Sequence, residues 1–193
     1  NVAYRVRASF LAGHDCSVTE RLDEFEMHRI DLRDGAVLEK GCVYVVPLME
    51  VLDLPAGLQA VTNAKSSTGR LDLLTRTITD GGTEFDRIPA GYSGPLYAEI
   101  CPRSFSVLVR PGMRLNQIRF RDGQAVLGDD ELRALHASMP LVDDEPVIGD
   151  GLGFSVDLKP QSGTLVGYRA KPHTGVIDLD NIGHYDPRAY WEE

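Results

Sequence analysis

Turn signals punctuate the first part of this chain about every ten residues. They fall at Asp34-Gly35, Pro55 to Gly57, Gly81-Gly82, Pro89 to Gly91, Pro111-Gly112 and Asp122-Gly123. The runs between them read as strands. "VAYRVRASF" alternates apolar and polar residues, and "CVYVVPLMEVLDL" is rich in Val and Leu. Pro47 within that run has no N–H to donate, so it suits a bulge or a sheet edge. "FSVLVRPGMRLNQIRF" gives two short strands on either side of a Pro-Gly turn. Short strands at this spacing predict a mainly β fold of the sandwich, jelly-roll or barrel kind.

Two short helices interrupt the pattern. One falls within "TNAKSSTGRLDLLTR", with Ser66 or Ser67 near its start. The other is "DDELRALHASM", Asp129 to Met139, with acidic residues in its first turn and Leu132 and Leu135 on one face. An acidic stretch with Pro and Gly follows, "PLVDDEPVIGDGLG", and reads as a linker. Beyond it, "LVGYRAKP" is similar to "VAYRVRAS", and "GVIDLDN" to "HRIDLRD", in the same order. The expected division is a β domain over 1–140, a linker over 141–150, and the start of a second, truncated copy over 151–193. The chain opens inside a strand pattern and without Met, so a fragment of a longer protein is expected, with a first strand missing.

The segment Ala64 to Ile100 concentrates the chemistry. It opens on "KSSTGR", two cations and two hydroxyls within six residues. Lys65, Ser66, Ser67 and Arg70 at a helix start can cradle a phosphate. A capped surface helix would give the same pattern, since Ser is a common N-cap. The segment is not a Walker loop, because G-x-x-x-x-G-K-[ST] is absent. Glu99 sits in "GPLYAEICP", where alternation predicts that it faces solvent. The other reading is a general base or acid in an apolar pocket. Arg87 lies just before a turn. It pairs with Asp86 or Glu84 on the surface, or it reaches a ligand beside the hairpin.

Charge and cysteines bound the partners. The formal net charge of -9 argues against a nucleic-acid polymer but leaves room for a small anion held by a few local cations. Three dispersed cysteines, Cys16, Cys42 and Cys101, fit a reduced, cytoplasmic protein. Cys101 reads as a buried structural thiol. The five histidines show neither H-x-x-x-H nor H-E-x-x-H, and the H-x-E and P-C-x-x-C of zinc deaminases are absent, so no metal ligand set is expected. No apolar run reaches membrane-spanning length, and no membrane partner is expected.

"AKSSTGRLDLL", then "RIPAGYSGPLYAEI", then "VLVRPGMRLNQIRF" resembles the dCTP deaminase and dUTPase superfamily over roughly Gly35 to Phe120. The serine-serine-x-x-arginine box, Ser66 to Arg70, is similar to that of the deaminase branch, and the apparent second copy to its long, tandem bacterial form. The resemblance implies a distorted β-barrel or jelly roll that assembles as a homo-oligomer, with nucleotide sites between neighbouring β units. It implies hydrolytic deamination of dCTP to dUTP and ammonia, without zinc, with Mg2+ accompanying the triphosphate. Glu99 matches the glutamate that activates water. Ser66 and Arg70 match residues that bind phosphate and support that water. Ser67 completes the box, and Lys65 stands where an arginine is usual. Arg87 matches an arginine of the nucleotide-binding hairpin. The family hairpin reads arginine-isoleucine-aspartate-proline-glycine, whereas this chain reads Arg87-Ile88-Pro89-Ala90-Gly91. The aspartate that helps hold the deoxyribose is therefore replaced by Pro89. Two further readings stand beside deamination: dUTP diphosphatase, alone or combined with deamination, and a catalytically silent nucleotide-binding half of a tandem enzyme.

Overall fold

The computed structural model of the chain describes residues 1–123, 126–157 and 165–193. Residues 158–164, inside the segment expected to open a second copy, lie outside the described residues. Two compact units form. One comprises Asn1–Asp122 with Tyr168–Glu192, and the other Gly123–Gly167 with Glu193.

The first unit begins with β1 (Val2–Val6), α1 (Val18–Phe25), β2 (Glu26–Asp31), β3 (Ala36–Leu38), β4 (Val43–Asp53) and β5 (Leu58–Ala64). It continues through α2 (Ser66–Gly69), β6 (Leu73–Thr79), β7 (Arg87–Ile88), β8 (Ser93–Pro102), β9 (Val107–Val109) and β10 (Asn116–Asp122). In the second unit α3 (Asp129–Ser138) matches the expected helix. Its N-terminus is closed by Glu131, which accepts from the Gly128 N–H at 2.8 Å. A two-stranded pair follows, β11 (Val147–Ile148) and β12 (Leu152–Gly153). β13 (Arg169–Ala170), β14 (Ile177–Asp178), α4 (Pro187–Tyr190) and β15 (Trp191–Glu192) return to the first unit. The mainly β expectation holds.

The central sheet has the order β2-β1-β4-β8-β6, antiparallel throughout. Pro47 sits where expected: the β4–β8 register slips between Pro47 and Val51. The two strands flanking the Pro111-Gly112 turn do not pair with each other. β9 joins β3 and β14, while β10 joins β5 and β7. Ala98 and Ile100 of β8 point into one core cluster with Leu73, Tyr44 and Phe105. Tyr97 points into a second, with Val45, Ile78 and Val18 and Leu22 of α1. Both faces of β8 are therefore covered.

α1 was not foreseen. Ser17 caps it, accepting from the Glu20 N–H, while Glu20 accepts from the Ser17 N–H at 2.7 Å. Asp80 accepts from the Val18 N–H at 2.7 Å and ties the helix start to the end of β6.

Tyr168–Glu192 joins the first unit by pairing and by charge. β14 runs parallel to β9. Arg110 grips Asp178 with both terminal nitrogens, at 2.6 and 2.9 Å, and reaches Asp180 at 2.8 Å. These bonds hold the Asp178 carboxyl at about 2, below its ordinary 3.8. A depressed carboxylate contributes stability in full above its unfolded value, and that contribution is lost as pH falls through the folded one. Asp178→Asn is thus expected to lower the urea midpoint at pH 7, with a deficit that shrinks as pH falls toward 2 and closes only below it. Equal midpoints at both pH values, or an equal deficit at both, would contradict this.

Among the described residues no helix is long and apolar enough to cross a membrane.

Candidate active site

Glu99 is on β8, fourth of five strands, so β4 and β6 occupy both of its edges. Its cross-strand neighbours are Val45 on one side and Arg76 on the other. The expectation that alternation turns Glu99 to solvent is overturned: the residue is 1% exposed. Period-2 alternation decides only which face a side chain takes, and here both faces carry core.

A buried carboxylate must be paired and hydrogen-bonded. Arg76 donates to Glu99 Oε1 from Nε at 3.1 Å and from Nη2 at 2.5 Å. Ser9, in the segment between β1 and α1, donates from Oγ to Glu99 Oε2 at 2.6 Å. The same Ser9 Oγ accepts from Arg76 Nη2 at 3.0 Å. The Arg76 guanidinium lies over the Phe85 ring, 3.6 Å from its centroid. Arg76 and Ser9 were not singled out from the sequence. Arg76 is placed by the β6–β8 register opposite Glu99, which the sequence does not encode locally. For Ser9 there was no local signal either, because it stands 90 positions away.

The serine box forms a single helical turn, α2, closed by Gly69 N–H to Lys65 O and Arg70 N–H to Ser66 O. Thr68 is its anchor: it is buried, and its hydroxyl donates to Leu115 O at 3.0 Å. Lys65 occupies the N-cap position without a side-chain cap. Ser66, Ser67 and Arg70 are exposed. Among the described residues no hydrogen bond or ion pair engages the side chains of Lys65, Ser66, Ser67 or Arg70. The serines therefore do not serve as caps.

A concavity of about 340 Å³ lies beside α2 and β6, with Asn63, Gly69, Thr75, Arg76 and Asp86 in its wall. Gly69 of the box and Arg76 thus border one space, and Arg76 belongs both to that wall and to the Glu99 network. Asp86 takes a left-handed backbone (φ +61°), and its Oδ1 accepts from Thr62 Oγ1 and Thr77 N–H, each at 2.8 Å.

Arg87 is exposed and 3.3 Å from Glu84, the surface pairing considered for it. Such an exposed pair contributes about 0–1 kcal/mol and leaves Arg87 available. The hairpin turns through Pro89, whose carbonyl accepts from the Tyr92 N–H at 3.2 Å, and through Gly91 (φ +72°). A Cβ on Gly91 would fall 3.4 Å from the Ala56 backbone. Pro89 offers no side-chain acceptor.

Cys101 is buried, as expected, and burial pushes its thiol up. A thiol reagent is therefore expected to modify the half-buried Cys16 and Cys42 in the native protein and Cys101 only on unfolding. Modification of Cys101 at the rate of the others would contradict its placement.

Comparison with known proteins gives a consistent picture. Residues 1–124 match the family model of the 2'-deoxycytidine 5'-triphosphate deaminase (DCD) N-terminal domain, and residues 128–193 match that of the DCD C-terminal domain. The crystal structure of 2'-deoxycytidine 5'-triphosphate deaminase from Agrobacterium tumefaciens is 53% identical, with a TM-score of 0.80. The match covers 99% of this chain and 58% of that one, so this chain spans little more than half of its relative's length. No curated protein matches.

Proposed function

We propose that this chain, which belongs to the 2'-deoxycytidine 5'-triphosphate deaminase family, converts dCTP and water to dUTP and ammonia, with Glu99 as the general base. The observation that carries this reading is a buried carboxylate, held by an arginine that also lines a concavity beside a serine–cation box whose side chains are unpaired among the described residues.

Neutral water is a poor nucleophile, so a positioned base is needed. Glu99 takes a proton as the water oxygen bonds to the cytosine C4. The C4–N3 electron pair moves onto N3, which receives that proton. A second proton passes from the new hydroxyl through Glu99 to the amino nitrogen. The C4–N bond then breaks, ammonia leaves, and the C4 carbonyl forms. Ser66 and Arg70 support the water and the phosphate chain. Lys65 and Ser67 bind phosphate, and Arg87 contacts the nucleotide from its hairpin.

Magnesium enters as part of the substrate. Among the described residues no group of three or more His, Cys, Asp or Glu side chains stands together, and Mg2+ commonly takes its ligands from substrate phosphates and water. The proposed chemistry assigns no step to zinc. The unengaged box and the buried Glu99 support sites shared between β units of a homo-oligomer, and three free thiols support a cytoplasmic location. The tandem division, with a second copy opening near Gly151, belongs to the same proposal.

The test follows ammonia and pyrophosphate together, using the full-length protein with magnesium. Ammonia from dCTP without pyrophosphate is the expected result. Pyrophosphate and dUMP from dUTP, with no ammonia from dCTP, would move the assignment to a diphosphatase.

A further inference from the structure

We infer that Arg76 and Ser9 are positioning residues for Glu99, and that Oε2 is the oxygen that meets the reacting water. This rests on the reading of Glu99 as the base. An ionised carboxylate oxygen has two acceptor positions. Oε1 fills both with Arg76, through Nε at 3.1 Å and Nη2 at 2.5 Å. Among the described residues Oε2 takes one donor, the Ser9 hydroxyl at 2.6 Å, which leaves its second acceptor position open.

The donors are themselves fixed. Ser9 Oγ accepts from Arg76 Nη2 at 3.0 Å, which directs its own proton to Oε2. The three side chains therefore close a ring: Arg76 to Ser9, Ser9 to Oε2, Oε1 back to Arg76. Phe85 covers one face of the guanidinium. Arg76 also stands directly across the ladder from Glu99, so the β6–β8 register sets the distance between them. The Glu99 side chain is 2% exposed and that of Arg76 29%, so the pair opens outward on the Arg76 side, toward the concavity. A ring of this kind leaves Glu99 little rotational freedom and one oxygen able to take up a water proton.

The two donors differ in what they supply. Arg76 gives a planar two-point grip, which a lysine cannot reproduce. Ser9 gives a single bond from an exposed segment, so Ser9→Ala is not expected to disturb folding. If the pair were purely structural, breaking it would lower the melting temperature and leave the rate per folded molecule unchanged.

The experiment measures kcat, KM and melting temperature for wild type, Arg76→Lys, Arg76→Ala, Ser9→Ala and Glu99→Gln in the full-length protein with Mg·dCTP. Guanidinium is added to each at concentrations below its denaturing range. Misplacing the base by about an ångström is expected to cut kcat by roughly 100-fold in Arg76→Ala, with Arg76→Lys recovering only part of it. Ser9→Ala is expected to lose about tenfold in kcat, with KM within about threefold of wild type, as removal of an interaction felt mainly in the transition state predicts. Guanidinium is expected to restore part of the Arg76→Ala rate and none of the Glu99→Gln rate. If Arg76→Ala does not fold, Arg76→Lys and Ser9→Ala carry the test.

Unchanged kcat in Ser9→Ala and the folded Arg76 variants, with wild type active and Glu99→Gln inactive, overturns the positioning role and leaves Glu99 as the base. Equal ammonia release by wild type and Glu99→Gln overturns the reading beneath it.

Discussion

Glu99→Gln is expected to lower ammonia release from dCTP by about 10²–10⁴-fold, the usual contribution of a positioned general base. The substitution keeps the shape of the side chain and an oxygen for Arg76 to bond, but it removes the group that accepts a water proton. Nucleotide affinity, measured by titration of Mg·dCTP, should persist, because among the described residues no bond ties the side chains of Lys65, Ser66, Ser67 or Arg70 to the Glu99 ring. Some loss of thermal stability is expected as well, since Arg76 then faces a neutral amide. Wild-type turnover in this variant would remove Glu99 from the mechanism and leave the ring a structural one.

The second large effect concerns the fold. Phe105 is 1% exposed and packs edge-on against Tyr190 and Trp191, with ring centroids 5.6 and 5.1 Å away. Phe105→Ala deletes a buried ring and opens a cavity on both sides of this contact, at an expected cost of about 3–5 kcal/mol. The urea midpoint should fall with little change in slope. Emission from Trp191, the chain's one tryptophan, should shift as the segment Tyr168–Glu192 loses its seat. A loss below about 1 kcal/mol would mean that this segment adds little to the first unit's core.

Much of the β architecture was legible in the sequence because turn chemistry is local. Pro47 announced its bulge, Pro111-Gly112 separated two strands, and the acidic first turn of α3 marked that helix. α1 also carries a local signal, Ser17 and Glu20 at capping-box spacing. Pairing was not legible. That β9 and β10 join different sheets, and that β14 lies parallel to β9, are long-range facts which local pattern does not encode.

The site divides in the same way. The residue types of the serine box and Glu99 were visible as a pattern. The burial of Glu99 was not, because alternation was read as if one face of β8 were wet. On a strand covered on both sides the period selects a core rather than a surface. Arg76 follows from register, where a slip of one residue would turn it to the opposite face. Ser9 reaches Glu99 only through the tertiary fold. Pro89 stands apart: the hairpin is intact, but it presents a proline where the resemblance to the deaminase family leads one to expect an aspartate.

The most direct test of the account is turnover of Mg·dCTP by the full-length protein in water enriched in oxygen-18. Hydrolysis at C4 predicts dUTP carrying one heavy oxygen on the base and none on the phosphates, with ammonia in equal amount and no pyrophosphate. Unlabelled base with heavy oxygen in released pyrophosphate or dCMP, or no product at all, would contradict the assignment of Glu99 as the base of a deaminase.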